Sequence, residues 1–425
     1  RDRSVSRGLG DVYKRQLQYE EKRLLPLCAA ENAISPFGKI PLDSFIQEKY
    51  IMGGIISLET KHNFMEAEHL FKFYSLLNRQ CFELFQSNYS DARTLSGVNA
   101  VMILLMSLFQ PGSTLLISSE DSGGHGSMPL ICHRLGIKFI YAPFDYEIMD
   151  FDYEKIKALR QKVKIDGMLI CPSDILFQPS LQNLEVSEDF IIIYDATQTL
   201  GLIASKSNSN PFHFFSNEVP FVLMGATHKT LPGPTSGLIM TNNQKLMNLI
   251  DTKINPDYLR NVQFHQILSL ILVLIEMEMF GEQYSKQIID NANKLGRYLE
   301  KRGVQVIRAR NDLYTDTHQI FISMKENEIM RFLHRSQSHG ISLNGRYKKL
   351  YRDSGIRIGV QQITRHGWEE NEFEQLADVF YQLTQDTYNY DEVEKKLNIL
   401  RSKKDVHYTF SEQTYHDVFN CLHDG

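Results

Sequence analysis

The sequence reads as an α/β protein: a large domain on a mostly parallel sheet of the seven-stranded type, followed by a smaller α+β domain. Three observations predict this. Short, continuously apolar strands alternate with helical stretches between residues 114 and 241, the pattern of a sheet buried on both faces. A long helical tract, Leu268–Lys301, then ends the alternation and can link two domains. Beyond it, strands and helices resume in mixed order through Leu383.

Size and composition agree with that reading. A chain of 425 residues, 42% hydrophobic and 23% charged, can bury a large core. A net charge of −5 and the lack of a basic stripe argue against a nucleic-acid partner. No uninterrupted apolar run approaches the roughly 20 residues of a membrane span; the longest, Ile267–Ile275, stops at Glu276 and reads as a core helix. The five cysteines show no C-x-x-C spacing, so neither a metal site nor a disulfide framework is expected, and a reducing, cytoplasmic setting fits. Residues 1–16 lack a starting Met and an apolar period; they resemble sequencing-adapter read-through and are expected to be a non-native or disordered leader. The expected division is then an N-terminal arm (17–50), a large domain (51–275) and a small domain with a helical extension (276–425).

Taken in order, Glu66–Gln86 carries Leu70, Phe73, Leu77, Cys81 and Leu84 at helical spacing. Thr94–Asn99 leads into an apolar helix, Ala100–Phe109. Thr114–Ser118, Lys138–Ala142, Gly167–Cys171 and Phe190–Tyr194 read as strands, with Tyr153–Val163 as an intervening helix. Phe221–Met224 and Ser236–Thr241 read as two more, joined by a loop held by Pro232, Gly233 and Pro234. In the second domain Val304–Arg308, His318–Met324 and Gly355–Gly359 read as strands, and Glu326–Gln337, Glu369–Leu383 and a stretch near Glu392–Leu400 as helices.

Several chemically capable residues fall just after predicted strands or at helix starts, where open α/β sheets bind ligands. Lys229 sits in the loop between the last two strands, beside His228 and two threonines. A lysine framed in this way can form a Schiff base once burial or nearby cations lower its pKa; the plainer reading is a solvated lysine in a hairpin. Asp195 ends an apolar strand, where it can keep a ring nitrogen protonated, as pyridoxal phosphate needs to accept electrons, or can simply cap a helix. Ser96-Gly97 opens a helix, which suits a phosphate or an ordinary cap. His125, after two glycines, can stack on an aromatic ring or make a single loop hydrogen bond. Arg357, in Gly-Ile-Arg-Ile-Gly, wants a bidentate anion: a substrate carboxylate, or an acid of its own domain.

Together these residues resemble the serine hydroxymethyltransferase family of fold-type I pyridoxal-phosphate enzymes, over about Leu27 to Phe380. The resemblance rests on Ala30-Glu31-Asn32, Lys49-Tyr50, Leu95-Ser96-Gly97, Gly123-Gly124-His125, Asp195, Thr227–Pro234 and Gly355–Gly359. It implies that Lys229 holds pyridoxal 5'-phosphate covalently, that Asp195 meets its ring nitrogen and that His125 stacks on its ring. Ser96, Gly97, Val98 and His228 would hold the phosphate, with Ser173, Gln198 and Thr227 also at the cofactor. Arg357 and Glu31 would bind the amino acid substrate. Tyr50 would act from a partner subunit, which implies a homodimer with a shared site.

The departures bear on the reaction. The family's Ser-Glu-Asn is Ala30-Glu31-Asn32, and its acid two residues after the Lys-Tyr tyrosine is Met52, which can neither donate nor accept a proton. Its folate-side tyrosine pair falls at Asn63-Phe64, its His three after the aspartate is Gln198, and its cross-dimer Gly-Gly falls near Arg260-Asn261. Thr315–Gln319, Glu276–Gly281 and Gly359-Val360-Gln361 look more like the threonine transaldolases that diverged from this family. The expected reaction is cleavage of threonine to a glycyl carbanion equivalent and acetaldehyde, then addition to another aldehyde, without tetrahydrofolate. The alternatives are folate-dependent serine hydroxymethyltransfer, a decarboxylase or aminotransferase, and a non-catalytic scaffold.

Overall fold

A computed structural model describes residues 2–51, 68–310 and 313–423. The strands of its two larger sheets are numbered here along the chain. The first sheet has seven: β1 (Tyr89–Asp91), β2 (Thr114–Ile117), β3 (Lys138–Tyr141), β4 (Gly167–Ile170), β5 (Ile191–Asp195), β6 (Phe221–His228) and β7 (Pro232–Thr241). Their order is β1-β7-β6-β5-β4-β2-β3, and only β7 pairs antiparallel with its neighbours. The carboxyl ends of the parallel strands therefore share one edge. That edge carries the loops with Ser96, His125, Ser173, Asp195 and Lys229. The second sheet is antiparallel, β8 (Gln319–Ser323), β9 (Asn344–Arg346) and β10 (Gly355–Gly359), in the order β8-β10-β9.

The central strands are buried along their length: Met168, Ile170, Ile192, Tyr194, Val222 and Met224 are fully enclosed. This is why β4–β6 read as unbroken apolar runs rather than alternating ones. Helix Gly97–Leu108, whose Ala100, Val101, Leu104 and Leu105 are buried, packs on β6 and β7. Helix Phe264–Lys301 is long and apolar enough by length and composition to cross a membrane, more so than its longest uninterrupted apolar run. Some 61% of its apolar window is buried inside the protein, against helix Lys72–Phe85, β7 and helix Glu370–Thr384.

That helix runs unbroken through the expected boundary at residues 275 and 276, and one apolar core extends from Leu25 to Leu400. The two regions differ in their sheets more than in their cores. The arm is tied to the second region by a parallel pair, Leu25↔Ile341 and Pro26↔Ser342, which no local pattern announced. Of residues 1–16, expected to be a non-native or disordered leader, the described ones (2–16) lie in helix Asp2–Arg23, with residues 12–19 exposed and Arg23 Nη2 donating to Ser338 O at 2.8 Å. The charged residues there favour helix without needing an apolar face.

Two strand expectations need correction. Val304–Arg308 is no strand: it joins β8 through a single bridge, Val306 to Ile322, with flanking bonds from Ile307 N and Ser323 N. The hairpin that holds Lys229 is longer than expected, since β6 reaches His228 and β7 starts at Pro232. Gly225, Gly233 and the two prolines read locally as turn residues. A register shift between Pro232 and Gly237 lets the pairing continue past them.

Candidate active site

Lys229 lies in the three-residue turn between β6 and β7. Thr227 Oγ1 donates to Pro234 O at 2.5 Å across the hairpin, and Thr230 Oγ1 donates to Gln198 O at 3.0 Å. Thr227, which the sequence places at the cofactor, is fully buried, and its hydroxyl braces the turn. Asn32 Nδ2 donates to the Lys229 carbonyl and to Tyr284 OH at 2.9 Å, which fixes the turn against the arm. Burial, and then the Arg357 charge, lower the Lys229 pKa to about 8, because both disfavour the ammonium form.

Asp195 ends β5, buried, with both oxygens oriented. Thr197 N donates to Oδ1 at 2.9 Å and the Cys171 thiol to Oδ2 at 3.0 Å. Burial, and then the Asp195 charge, push the Cys171 pKa well up, so the thiol stays a donor. Cys171 follows β4 directly and was not singled out from sequence; its cue was only its place at a strand end.

His125 is set by the two glycines before it. Gly123 has φ +91°, and a Cβ there would fall 2.2 Å from Asp174 O. At Gly124 a Cβ would fall 2.4 Å from Ser118 O. His125 N donates to Cys171 O at 2.9 Å and Ser173 N to Gly123 O at 2.7 Å, which stitches the loops after β2 and β4 together. His125 Nδ1 accepts from Ser127 N at 3.2 Å, so the neutral ring carries its proton on Nε2. Burial lowers its pKa, with Lys229 and Lys348 adding to that effect and Asp195 opposing it.

Ser96 caps helix Gly97–Leu108, accepting from Asn99 N at 3.2 Å. The first-turn amides of Gly97 and Val98 point out of the helix start, as donors that helical bonding does not use. A Cβ on Gly97 would lie 3.0 Å from the Ala226 Cβ, so glycine lets this helix end close onto β6 beside the lysine turn. His228, half-buried, has its buried Nδ1 without a partner among the described residues.

Arg357, in β10, reaches across to the first sheet. Its Nη1 donates to Ser173 O at 2.7 Å and to Asp174 Oδ1 at 3.2 Å, and its Nη2 to Asn344 Oδ1 at 2.9 Å. Its buried Nε has no partner among the described residues. The sequence offered either a substrate carboxylate or an acid of the same domain; the acid it meets is Asp174, which comes instead from the first sheet's side, in the loop after β4. Gln319 Nε2 bridges Ser173 O at 3.1 Å and Gln198 Oε1 at 3.0 Å, so Gln198 is tied to the second sheet. His318 is buried and held neutral, its pKa lowered to about 3 chiefly by burial, with Nε2 donating to Ala29 O at 3.1 Å.

The structure thus brings Ser96, Gly97, Val98, His125, Ser173, Asp195, Gln198, Thr227, His228, Lys229 and Arg357 to one edge. Glu31 is exposed in the turn after Cys28, its carbonyl accepting from Gln361 Nε2. Tyr50 is exposed at the end of the arm, next to Ile51, whose N donates to Asn261 Oδ1 at 3.0 Å. Met52, Asn63 and Phe64, which bear on the folate side, lie outside the described residues.

A family model described as serine hydroxymethyltransferase matches residues 5–380. A serine hydroxymethyltransferase of Saccharolobus islandicus is 28% identical over 415 residues, covering 95% of this chain and 94% of that protein. One of Archaeoglobus fulgidus is 27% identical over 410 residues, 92% and 90% of the two chains. Among solved structures, the L-threonine transaldolase of Pseudomonas fluorescens, in its internal aldimine state, superposes with a TM-score of 0.90 over 99% of this chain and 98% of that one, at 21% identity. At that identity the likeness is one of fold.

Proposed function

Because the chain belongs to the serine hydroxymethyltransferase family of fold-type I pyridoxal-phosphate enzymes, we propose that it is a threonine transaldolase. It would convert threonine and an aldehyde into a new β-hydroxy-α-amino acid and acetaldehyde. What supports this over folate-dependent hydroxymethyl transfer is a contrast within one chain. The residues suited to the cofactor and to an amino acid carboxylate converge, whereas the position expected to supply the folate-side acid is Met52.

The residues present fit pyridoxal phosphate. A lysine amine with its pKa near 8 matches an aldehyde, and a carboxylate oriented by two donors matches a protonated ring nitrogen. The unpartnered Nδ1 of His228 and the helix start at Gly97 match a phosphate. Bound there, the cofactor supplies an electron sink for carbanion chemistry at the substrate Cα.

This chain's residues supply the rest. Arg357 offers its unpartnered Nε and its Nη2 to the carboxylate of threonine and fixes the bond that breaks. As the Cα–Cβ bond breaks, the β-hydroxyl proton leaves, Cβ becomes the carbonyl carbon of acetaldehyde and the electron pair stays with the glycyl fragment. That fragment then attacks the second aldehyde, whose oxygen takes a proton. Lys229 Nζ, titrating near pH 8, can take and return a proton. His125, protonated at Nε2, acts as ring partner and donor rather than as base. Tyr50 would reach the centre only from a second copy of the chain.

Loading of apoprotein with pyridoxal phosphate should follow the Lys229 titration. The neutral amine is the nucleophile, and it accumulates as pH rises through its pKa. The initial rate of the visible absorbance change should therefore rise between pH 7 and 9 with its midpoint at about 8. A midpoint near the ordinary lysine value would deny this amine its special setting.

The reaction is tested by incubating holoenzyme and threonine with a panel of aldehydes, with and without tetrahydrofolate, and identifying the products by mass spectrometry. New β-hydroxy-α-amino acids and acetaldehyde without folate are expected. Serine formed from glycine only with a methylene-folate donor would establish the rival reading, which the names of the 27–28% identical relatives favour.

A further inference from the structure

Around Asp174 the charges do not balance. Its buried carboxylate receives Arg346 Nε at 2.9 Å and Arg357 Nη1 at 3.2 Å on Oδ1, and Lys348 Nζ at 2.6 Å on Oδ2. Tyr351 OH also donates to Oδ1, at 3.1 Å, and stays neutral because burial and Asp174 push its pKa well up. Three cations thus share one acid, in a chain whose net charge is −5. The amino acid carboxylate neutralises one of them, at Arg357. One positive charge remains, shared by Arg346 and Lys348.

Their placement gives that charge a use. Arg346 lies on β9, paired with Gly355 two residues before Arg357 on β10. Lys348 leans toward the opposite wall, with Nζ 3.5 Å from Gly124 O in the loop that sets His125. Both side chains keep some exposure, 24% for Arg346 and 15% for Lys348, so they meet solvent at the rim while Arg357 is enclosed. Arg346 binds Asp174 through Nε alone, and its two terminal amino groups make no hydrogen bond among the described residues. Terminal guanidinium nitrogens that the counter-ion leaves without a hydrogen bond suit a second carboxylate or a phosphate.

We infer that Arg346 and Lys348 form an anion subsite for the second substrate, so that the acceptor aldehyde carries an acidic group. This rests on the transaldolase reading, in which the aldehyde is the ligand besides the amino acid. The subsite sets which aldehyde is used; it takes no part in bond making.

The test compares acid and ester forms of one molecule. Holoenzyme saturated with glycine, so that Arg357 is occupied, is titrated calorimetrically with 4-(hydroxymethyl)benzoate and with its methyl ester, which mimic an acceptor without reacting. The acid should bind about tenfold more tightly, less so at high salt, and the advantage should vanish in an Arg346→Gln/Lys348→Gln double variant. The single variant Lys348→Gln, with Arg346 still on Asp174, should lose part of it, and circular dichroism checks that both variants are folded. Equal binding of acid and ester by the parent protein, or a preference that survives the double variant, would overturn the inference. So would displacement of the acid by tetrahydrofolate at lower concentration, which would assign the cations to a folate tail. In parallel, threonine is offered with 4-formylbenzoate and with its methyl ester. Product from both without acid preference sinks the subsite alone; selective binding without product from either leaves the subsite and sinks the reaction.

Discussion

Lys229→Ala is expected to lower threonine turnover by roughly a thousandfold or more while leaving the protein able to bind pyridoxal phosphate. The lysine contributes two things no neighbour supplies: an amine that sheds its proton at about pH 8, well below the ordinary lysine value, and a position fixed by Asn32, Thr227 and Thr230. Removing the side chain beyond Cβ deletes the amine and leaves the hairpin intact, because those three bonds run to backbone groups or to other side chains. On the proposed reading, Asp195, His228 and the Ser96 helix start would remain to hold the ring and phosphate. The variant should take up cofactor without the absorption of the lysine-linked form, read by visible spectroscopy, while acetaldehyde release falls below detection. Turnover within a few-fold of the parent would refute the Schiff-base role.

Arg357→Ala should act on substrate affinity. Its guanidinium is enclosed, and a buried charge pair of this kind contributes about 2–5 kcal/mol when one partner is cut. The KM for threonine should therefore rise by roughly a hundredfold or more, with a smaller fall in kcat. Asp174 would not be stranded in the variant, since Arg346 and Lys348 still hold it, so folding should survive. Arg357→Lys restores charge but not the fork, and should recover only part of the loss. Titration of glycine against holoenzyme would separate binding from turnover. An unchanged KM in the alanine variant would mean that Arg357 serves Asp174 alone.

Much of the site was legible because its residues sit at positions that local pattern marks. Asp195 follows an apolar run, Ser96 opens an apolar helix, and Lys229 falls between two strands. Arg357 was legible as a cation wanting an anion, but its partner was not. Asp174 is 183 residues away, in a loop whose local sequence reads as an ordinary turn. Cys171 and Asn344 were missed, and Gln319 was noted only as part of Thr315–Gln319, without its bonds to Ser173 and Gln198. Each acts through a partner that strand pairing or the meeting of the two sheets brings near. The hairpin around Lys229 erred in the other direction, its glycines and prolines signalling a loop where cross-strand pairing sustains a strand.

The sequence by itself determined the alternation of strands and helices, and hence the sheet edge where a ligand must sit. It also determined the order of the lysine, aspartate and arginine on which cofactor chemistry depends. These are properties of side-chain periodicity and of single functional groups, which a few neighbouring residues express. Tertiary structure decided what each group faces: that Cys171 and Thr197 orient Asp195, and that the His125 proton lies on Nε2. It also decided that Arg357 shares Asp174 with two further cations. Burial, dielectric and hydrogen-bond geometry arise only where distant segments meet, and they turn an ordinary lysine with a pKa of 10.5 into one that titrates near 8.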